Sequence, residues 1–138
     1  MLQLIQIGKE KLNSIRELAY KIWPDAYDEI LSMEQLNYML DNFYSLESLE
    51  NQMDKGQVIE LLLEENNKVG FVAYELNCNE TDLLKIHKIY LLPETQGKGF
   101  GKFMIDEVFK IAKKNNVGII DAAIIVCGNT NKHTHQGK

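Results

Sequence analysis

The stretch Gln96-Gly97-Lys98-Gly99-Phe100-Gly101-Lys102 has residue types and spacing that fit a definite chemical task. An apolar run ends at Pro93 just before it, and a long amphipathic stretch follows. Read physically, this is strand, tight loop and helix, with Gly97, Gly99 and Gly101 where the helix begins. Glycines there let the backbone approach a ligand closely. The unpaired N–H groups and the dipole at a helix start together favour an anion, phosphate above all. Two phosphate-loop patterns fail. A P-loop needs G-x-x-x-x-G-K-[ST], but Gly97 to Gly101 is one residue short and Phe103 stands where Ser or Thr belongs. A dinucleotide fingerprint needs G-x-G-x-x-G. Gly97 and Gly99 fit it, but Lys102 takes the third glycine's place and the loop falls late in the chain.

The elements around the loop must hold it in place. Residues 2–7 alternate loosely and read as a first strand. From Lys9 to Trp23, the residues Leu12, Ile15, Leu18, Ala19 and Ile22 recur at helical spacing, and Pro24 is expected to stop that helix. A second helix is expected after an N-cap at Ser32, with Glu34 in its first turn and Met33, Leu36, Leu40 and Phe43 as its apolar positions. Residues 45–54 read as a short third helix ended by Lys55 and Gly56. Then the period changes. Strands are expected over 58–64, 69–76 and 83–92, joined by turns at Asn66-Asn67 and at 77–80, which makes an antiparallel meander. After the glycine loop, Phe100, Met104, Val108, Ile111 and Ala112 form an apolar stripe. Asn115, Asn116 and Gly118 end that helix, and Ile119 to Val126 reads as a strand buried on both faces. The fold class is therefore mixed α/β (α+β), with one domain over 1–126 and a polar tail over 127–138.

Composition bounds the function. A chain of 138 residues and 15.9 kDa, 45% hydrophobic, suits one domain with one core. No apolar run approaches the ~20 residues that span a bilayer. The start, Met1 to Gly8, lacks the basic and long apolar regions of a signal peptide. Cys78 and Cys127 are too few for a disulfide framework and have no metal-ligand spacing, so they read as small core residues in a reducing, cytoplasmic setting with no metal. His133 and His135 read as part of the tail. Charge is divided along the chain. Between Asp25 and Glu65 there are eleven acids and one base, whereas from Lys85 to Lys138 there are nine lysines and four acids. That division suggests a cationic partner for the first half and an anionic one for the second. A pI near 5.2 and the single Arg16 argue against nucleic acid.

A third glycine pattern, Q/R-x-x-G-x-G/A after a strand ending in hydrophobic-Pro, is matched at every position by Gln96 to Gly101. Residues 85–102, with the order of elements around them, resemble the acetyl-CoA-binding motif of the GNAT (Gcn5-related N-acetyltransferase) superfamily over about residues 1–126. The resemblance implies a central, mostly antiparallel sheet flanked by helices. It implies that backbone N–H groups from Gln96 to Lys102, including those of Gly97, Lys98, Gly99, Phe100 and Gly101, cradle the CoA pyrophosphate, with Lys98 and Lys102 adding charge. The pantetheine arm would lie where the strand ending at Leu92 splays from the next one. It would pair with backbone near Leu91 and Leu92, and an N–H near Leu91 would stabilise the oxyanion. Asn129 or Asn131 would be a further CoA contact; Asn131 is the one retained. The acceptor amine would attack the thioester directly and must first lose a proton, for which Glu75 and His87 are the candidate bases. Leu91 and His87 would share a face unless a bulge intervenes. The first helices would build the acceptor side, which coincides with the acidic zone, so a cationic small molecule or peptide amine is expected. Trp23, Tyr27, Tyr38, Phe43 and Tyr44 are candidates to line it.

The resemblance weakens towards the C-terminus. Similar proteins continue with an Asn-rich turn, a helix bearing a Tyr that protonates the leaving thiolate, and a last pair of strands. Here no Tyr follows Tyr90, so the pattern reads as C-terminally short. Two expectations follow. Either the chain is a catalytically weak or inactive CoA-binding protein of the same fold, or a second copy covers the open sheet edge as a homodimer.

Overall fold

A computed structural model describes residues 1–27, 29–76, 82–95 and 97–120. The strand β1 (Leu2–Gln6) leads through a 3-10 turn at Lys9–Lys11 into helix α1 (Leu12–Tyr27). Helices α2 (Met33–Phe43) and α3 (Leu46–Asp54) follow. The chain then forms β2 (Gln57–Glu64), β3 (Asn67–Glu75), β4 (Leu83–Leu91), helix α4 (Phe100–Lys114) and β5 (Gly118–Ile120). The sheet order is β1-β2-β3-β4-β5, antiparallel through β4, with β5 parallel to β4. Between β4 and α4 lies a second 3-10 turn, Pro93–Thr95. The expected strand over 119–126 is seen as Gly118–Ile120. Its remainder, the turn at 77–80, Gln96, both cysteines and the tail lie outside the described residues.

Local signals explain most boundaries. Ser32 caps α2 in a reciprocal box with Gln35, and Ser45 caps α3 through Ser48 N–H. The β2–β3 turn is Glu65-Asn66, both at positive φ (52° and 74°), one residue earlier than the expected Asn66-Asn67. At the end of α4 the left-handed residue is Asn116 (φ 60°), so Gly118 is released into β5.

Two expectations fail for reasons of packing. Pro24 does not stop α1, which continues to Tyr27. A proline in the last turn removes the bond to the Tyr20 carbonyl. Against that loss, Trp23 and Tyr27 pack into an aromatic cluster with Tyr44, Phe71 and Tyr90. On α2, Leu36 and Leu40 are buried, but Met33 and Phe43 are exposed, so the helix buries a narrower stripe than the one read from its sequence.

The sheet divides the core in two. Register places Phe71, Ala73 and Glu75 of β3 with Tyr90, Lys88 and Lys85 of β4, on the face covered by α1 and α3. Gly70, Val72 and Tyr74 share the other face with Leu91, Ile89 and Ile86. There α4 packs its buried Phe100, Met104, Val108 and Ala112. Gly70 leaves no room for a side chain against β4. A Cβ there would stand 2.5 Å from the Tyr90 carbonyl oxygen and 2.9 Å from Leu91 Cδ2.

Candidate active site

The glycine loop opens α4 as expected. Gly97 and Gly99 both sit at φ +82°, a region that side chains with a Cβ rarely adopt, and Gly99 is the N-cap. A Cβ on either would meet nothing within 4 Å, so the loop borders open space. The first backbone bond of the helix runs from Phe103 N–H to the Gly99 carbonyl at 3.1 Å. The N–H groups of Phe100, Gly101 and Lys102 precede it at the positive end of the dipole. Phe100 is buried, so its ring anchors the loop in the core. Lys98 is exposed, whereas Lys102 is ion-paired with Asp106 at 2.9 Å. Thr95, buried just upstream, ties the turn to the strand end: its N–H and its hydroxyl both donate to the Leu92 carbonyl, at 3.0 and 2.8 Å.

That contact separates two candidate backbone positions. Leu92 N–H donates to the Val69 carbonyl at 2.9 Å, and its own carbonyl serves Thr95. Leu92 therefore gives its N–H to the sheet. In an antiparallel pair alternate residues turn their N–H groups to opposite sides, so Leu91 N–H faces away from β3, towards the β5 side.

Glu75 and His87 come together. The register slips between Ala73 and Tyr74, which pair with Lys88 and Ile86, so His87 is an unpaired bulge residue. The bulge reverses the simple parity of the strand and separates His87 from Leu91. His87 lies with Glu75 on the α1 face, whereas Leu91 lies on the α4 face. His87 Nε2 is 2.9 Å from Glu75 Oε1, with both side chains about one-fifth to one-quarter exposed (21% and 24%). Next to it, Lys88 donates to the side-chain oxygens of Gln52 and Gln57, and burial pushes its pKa down to about 8.

Of the aromatic candidates for the acceptor side, Trp23 and Tyr44 are core residues, and Tyr38 and Phe43 are exposed. Tyr27 lies at the boundary: its hydroxyl is 3.2 Å from that of Tyr90, the residue before Leu91. Sequence reasoning missed this hydroxyl pair because it assumed that α1 ended at Pro24. Behind the sheet, the Tyr74 hydroxyl donates to Glu60 Oε2 at 2.6 Å, and burial raises the Glu60 carboxyl above its usual range. Gln96 and Asn131 lie outside the described residues. Among the described residues there is no His, Cys, Asp and Glu group arranged to hold a metal, and no helix is long and apolar enough to cross a membrane.

A family model described as the Acetyltransferase (GNAT) family matches residues 12–136. A spermidine N(1)-acetyltransferase of Thermoplasma acidophilum is 28% identical over 130 residues, which are 91% of this chain and 78% of that protein. The crystal structure of PaiA N-acetyltransferase from the same organism, in complex with coenzyme A, has a TM-score of 0.74 at 24% identity. That match covers 85% of this chain and 75% of the other. A predicted acetyltransferase of Clostridium acetobutylicum, solved with acetyl-CoA, has a TM-score of 0.66 at 15% identity, and the match covers 99% of this chain and 88% of the other. The two structures share the fold of this chain.

Proposed function

The chain belongs to the acetyltransferase (GNAT) family, and from that premise we propose that it transfers acetyl from acetyl-CoA to a primary amine of a cationic small molecule, with a peptide amine as the other acceptor class. Family membership makes it an N-acetyltransferase with acetyl-CoA as co-substrate. The observation that carries the cofactor assignment is the helix start at Gly97–Lys102. Two positive-φ glycines there border open space ahead of the N–H groups of Phe100, Gly101 and Lys102. A pyrophosphate matches that geometry and sign. The cationic acceptor is supported by the acidic first half of the chain and by the relative whose name specifies spermidine.

In this reading the thioester carbonyl points at Leu91 N–H, which faces the β5 side of β4. The amine nitrogen attacks the carbonyl carbon, and the oxyanion draws on that N–H. The amine proton passes through water to His87, whose imidazole is oriented by Glu75, and the CoA thiolate leaves as the C–S bond breaks. The pantetheine arm follows β4 at Leu91, since Leu92 N–H is bonded to Val69.

Free-thiol release from acetyl-CoA, measured against a panel of amines, tests the proposal. The expected result is turnover with linear aliphatic polyamines above turnover with neutral or acidic amines. Acetyl-CoA binding without thiol release from any amine would instead support a non-catalytic CoA-binding protein.

A further inference from the structure

The turn between α1 and α2 opens on its outer side into a groove lined by Leu31, Glu34, Gln35, Tyr38 and Met39. Leu31 and Met39 are half-buried against the core and make an aliphatic floor. Gln35 is committed to the cap of α2, its side-chain oxygen accepting Ser32 N–H. Glu34 and Tyr38 are exposed and stand one helical turn apart on one face of α2. Among the described residues neither side chain makes a hydrogen bond or ion pair. The groove thus offers one carboxylate and one phenol above a hydrocarbon surface.

One residue contacts both the groove and the strand that carries Leu91. The Tyr27 carbonyl accepts Leu31 N–H at 2.9 Å, which fixes the groove's near wall. The Tyr27 hydroxyl meets that of Tyr90 at 3.2 Å, immediately before Leu91 on β4. Tyr27 therefore touches both the groove wall and the residue before Leu91.

We propose that the groove is a second ammonium subsite, which holds the distal cationic nitrogen of a linear aliphatic di- or polyamine while its terminal nitrogen is acetylated. This rests on the acetyl-transfer reading given above and names the acceptor class more narrowly. The methylenes lie on Leu31 and Met39. The distal ammonium pairs with the Glu34 carboxylate and meets the face of the Tyr38 ring. The sign of the local sequence agrees: the segment from Asp25 to Glu34 holds four acids and no base. A peptide backbone suits this groove less well, because its amides need several hydrogen-bond partners and the floor is hydrocarbon.

The test is steady-state acetylation of a linear triamine, n-butylamine and a short lysine peptide, by wild type, Glu34→Gln and Glu34→Lys. Glu34 is exposed, so both variants are expected to fold, and circular dichroism verifies it. Wild type is expected to show a lower KM for the triamine than for n-butylamine. Glu34→Gln is expected to raise the ratio of triamine KM to n-butylamine KM about fivefold, the scale of an exposed ion pair, and Glu34→Lys to raise it further. An unchanged ratio in both variants overturns the subsite and leaves acetyl transfer standing, as does a wild-type preference for the peptide over the triamine. Absence of thiol release with every amine overturns acetyl transfer itself, and the subsite with it.

Discussion

His87 Nε2 lies 2.9 Å from Glu75 Oε1, and His87 is the one residue between Lys85 and Leu91 with no partner in β3. The bulge gives an imidazole on a central strand the freedom to meet a carboxylate on its neighbour instead of pointing into a packed face. A carboxylate at that distance orients the ring and stabilises the imidazolium formed when it takes a proton. His87→Ala is expected to lower kcat/KM for the amine by roughly a hundredfold, within the range of general-base catalysis. Acetyl-CoA affinity measured by calorimetry should hold within about twofold, because the pyrophosphate is bound at the start of α4. Glu75→Gln keeps the hydrogen bond but removes the charge. It should cost less than His87→Ala. Unaltered turnover in His87→Ala would assign the base elsewhere.

The loop at the start of α4 separates ligand binding from folding. Gly99 has φ +82° with open space where a Cβ would go. Gly99→Ala therefore costs stability only through the backbone, about 1 kcal/mol for a left-handed alanine. The added methyl and the backbone shift it provokes fall where the phosphates approach. Acetyl-CoA affinity is expected to fall by tenfold or more, while the urea midpoint moves only slightly. Equal losses in both measurements would make the loop a structural turn.

Gly70 gives the opposite pattern. A Cβ there would press on the Tyr90 carbonyl and on Leu91, at 2.5 and 2.9 Å, and a backbone oxygen in a central strand yields little. Gly70→Ala should destabilise the fold by about 2–3 kcal/mol, read as a lower urea midpoint at constant slope. The displaced segment includes Leu91, so the surviving folded fraction should also show reduced kcat.

Features encoded within a few residues could be read from the sequence. The Ser32 cap, the glycine loop and the α4 stripe each depend on neighbours in sequence and lie where their patterns put them: Phe100, Met104, Val108 and Ala112 are buried and Ile111, at the stripe's margin, is half-buried. What could not be read depends on partners distant in the chain. Trp23 and Tyr27 hold α1 together past Pro24 because they meet Tyr44 and Tyr90. Met33 and Phe43 have the right spacing on α2, but among the described residues no facing element covers them. The pairing of His87 with Glu75 depends on a register slip that side-chain alternation alone conceals. Leu91 and Leu92 look equivalent in sequence, and the bonds of Leu92 to Val69 and Thr95 distinguish them.

Lys88 makes a pH-dependent prediction on the same face. Burial lowers its pKa from 10.5 to about 8, while its ammonium donates to Gln52 on α3 and Gln57 on β2. A lowered folded pKa means that, between about 8 and 10.5, the unfolded chain holds a proton the folded chain has lost. Stability from this group therefore rises with pH through that window, and the cost of burying the charge is fully present below it. Lys88→Met removes the charge and keeps most of the apolar stem. The variant is expected to be more stable than wild type at pH 7, by on the order of 2 kcal/mol after allowance for solvent screening. The gap should narrow as pH rises from 8 towards 10. Paired urea titrations of the two proteins at pH 7, 8, 9 and 10 measure it. Because the tyrosines are common to both proteins, their ionisation cancels in the difference. A gap that stays constant across that range would mean that Lys88 keeps an ordinary pKa, with its charge solvated between the two glutamines.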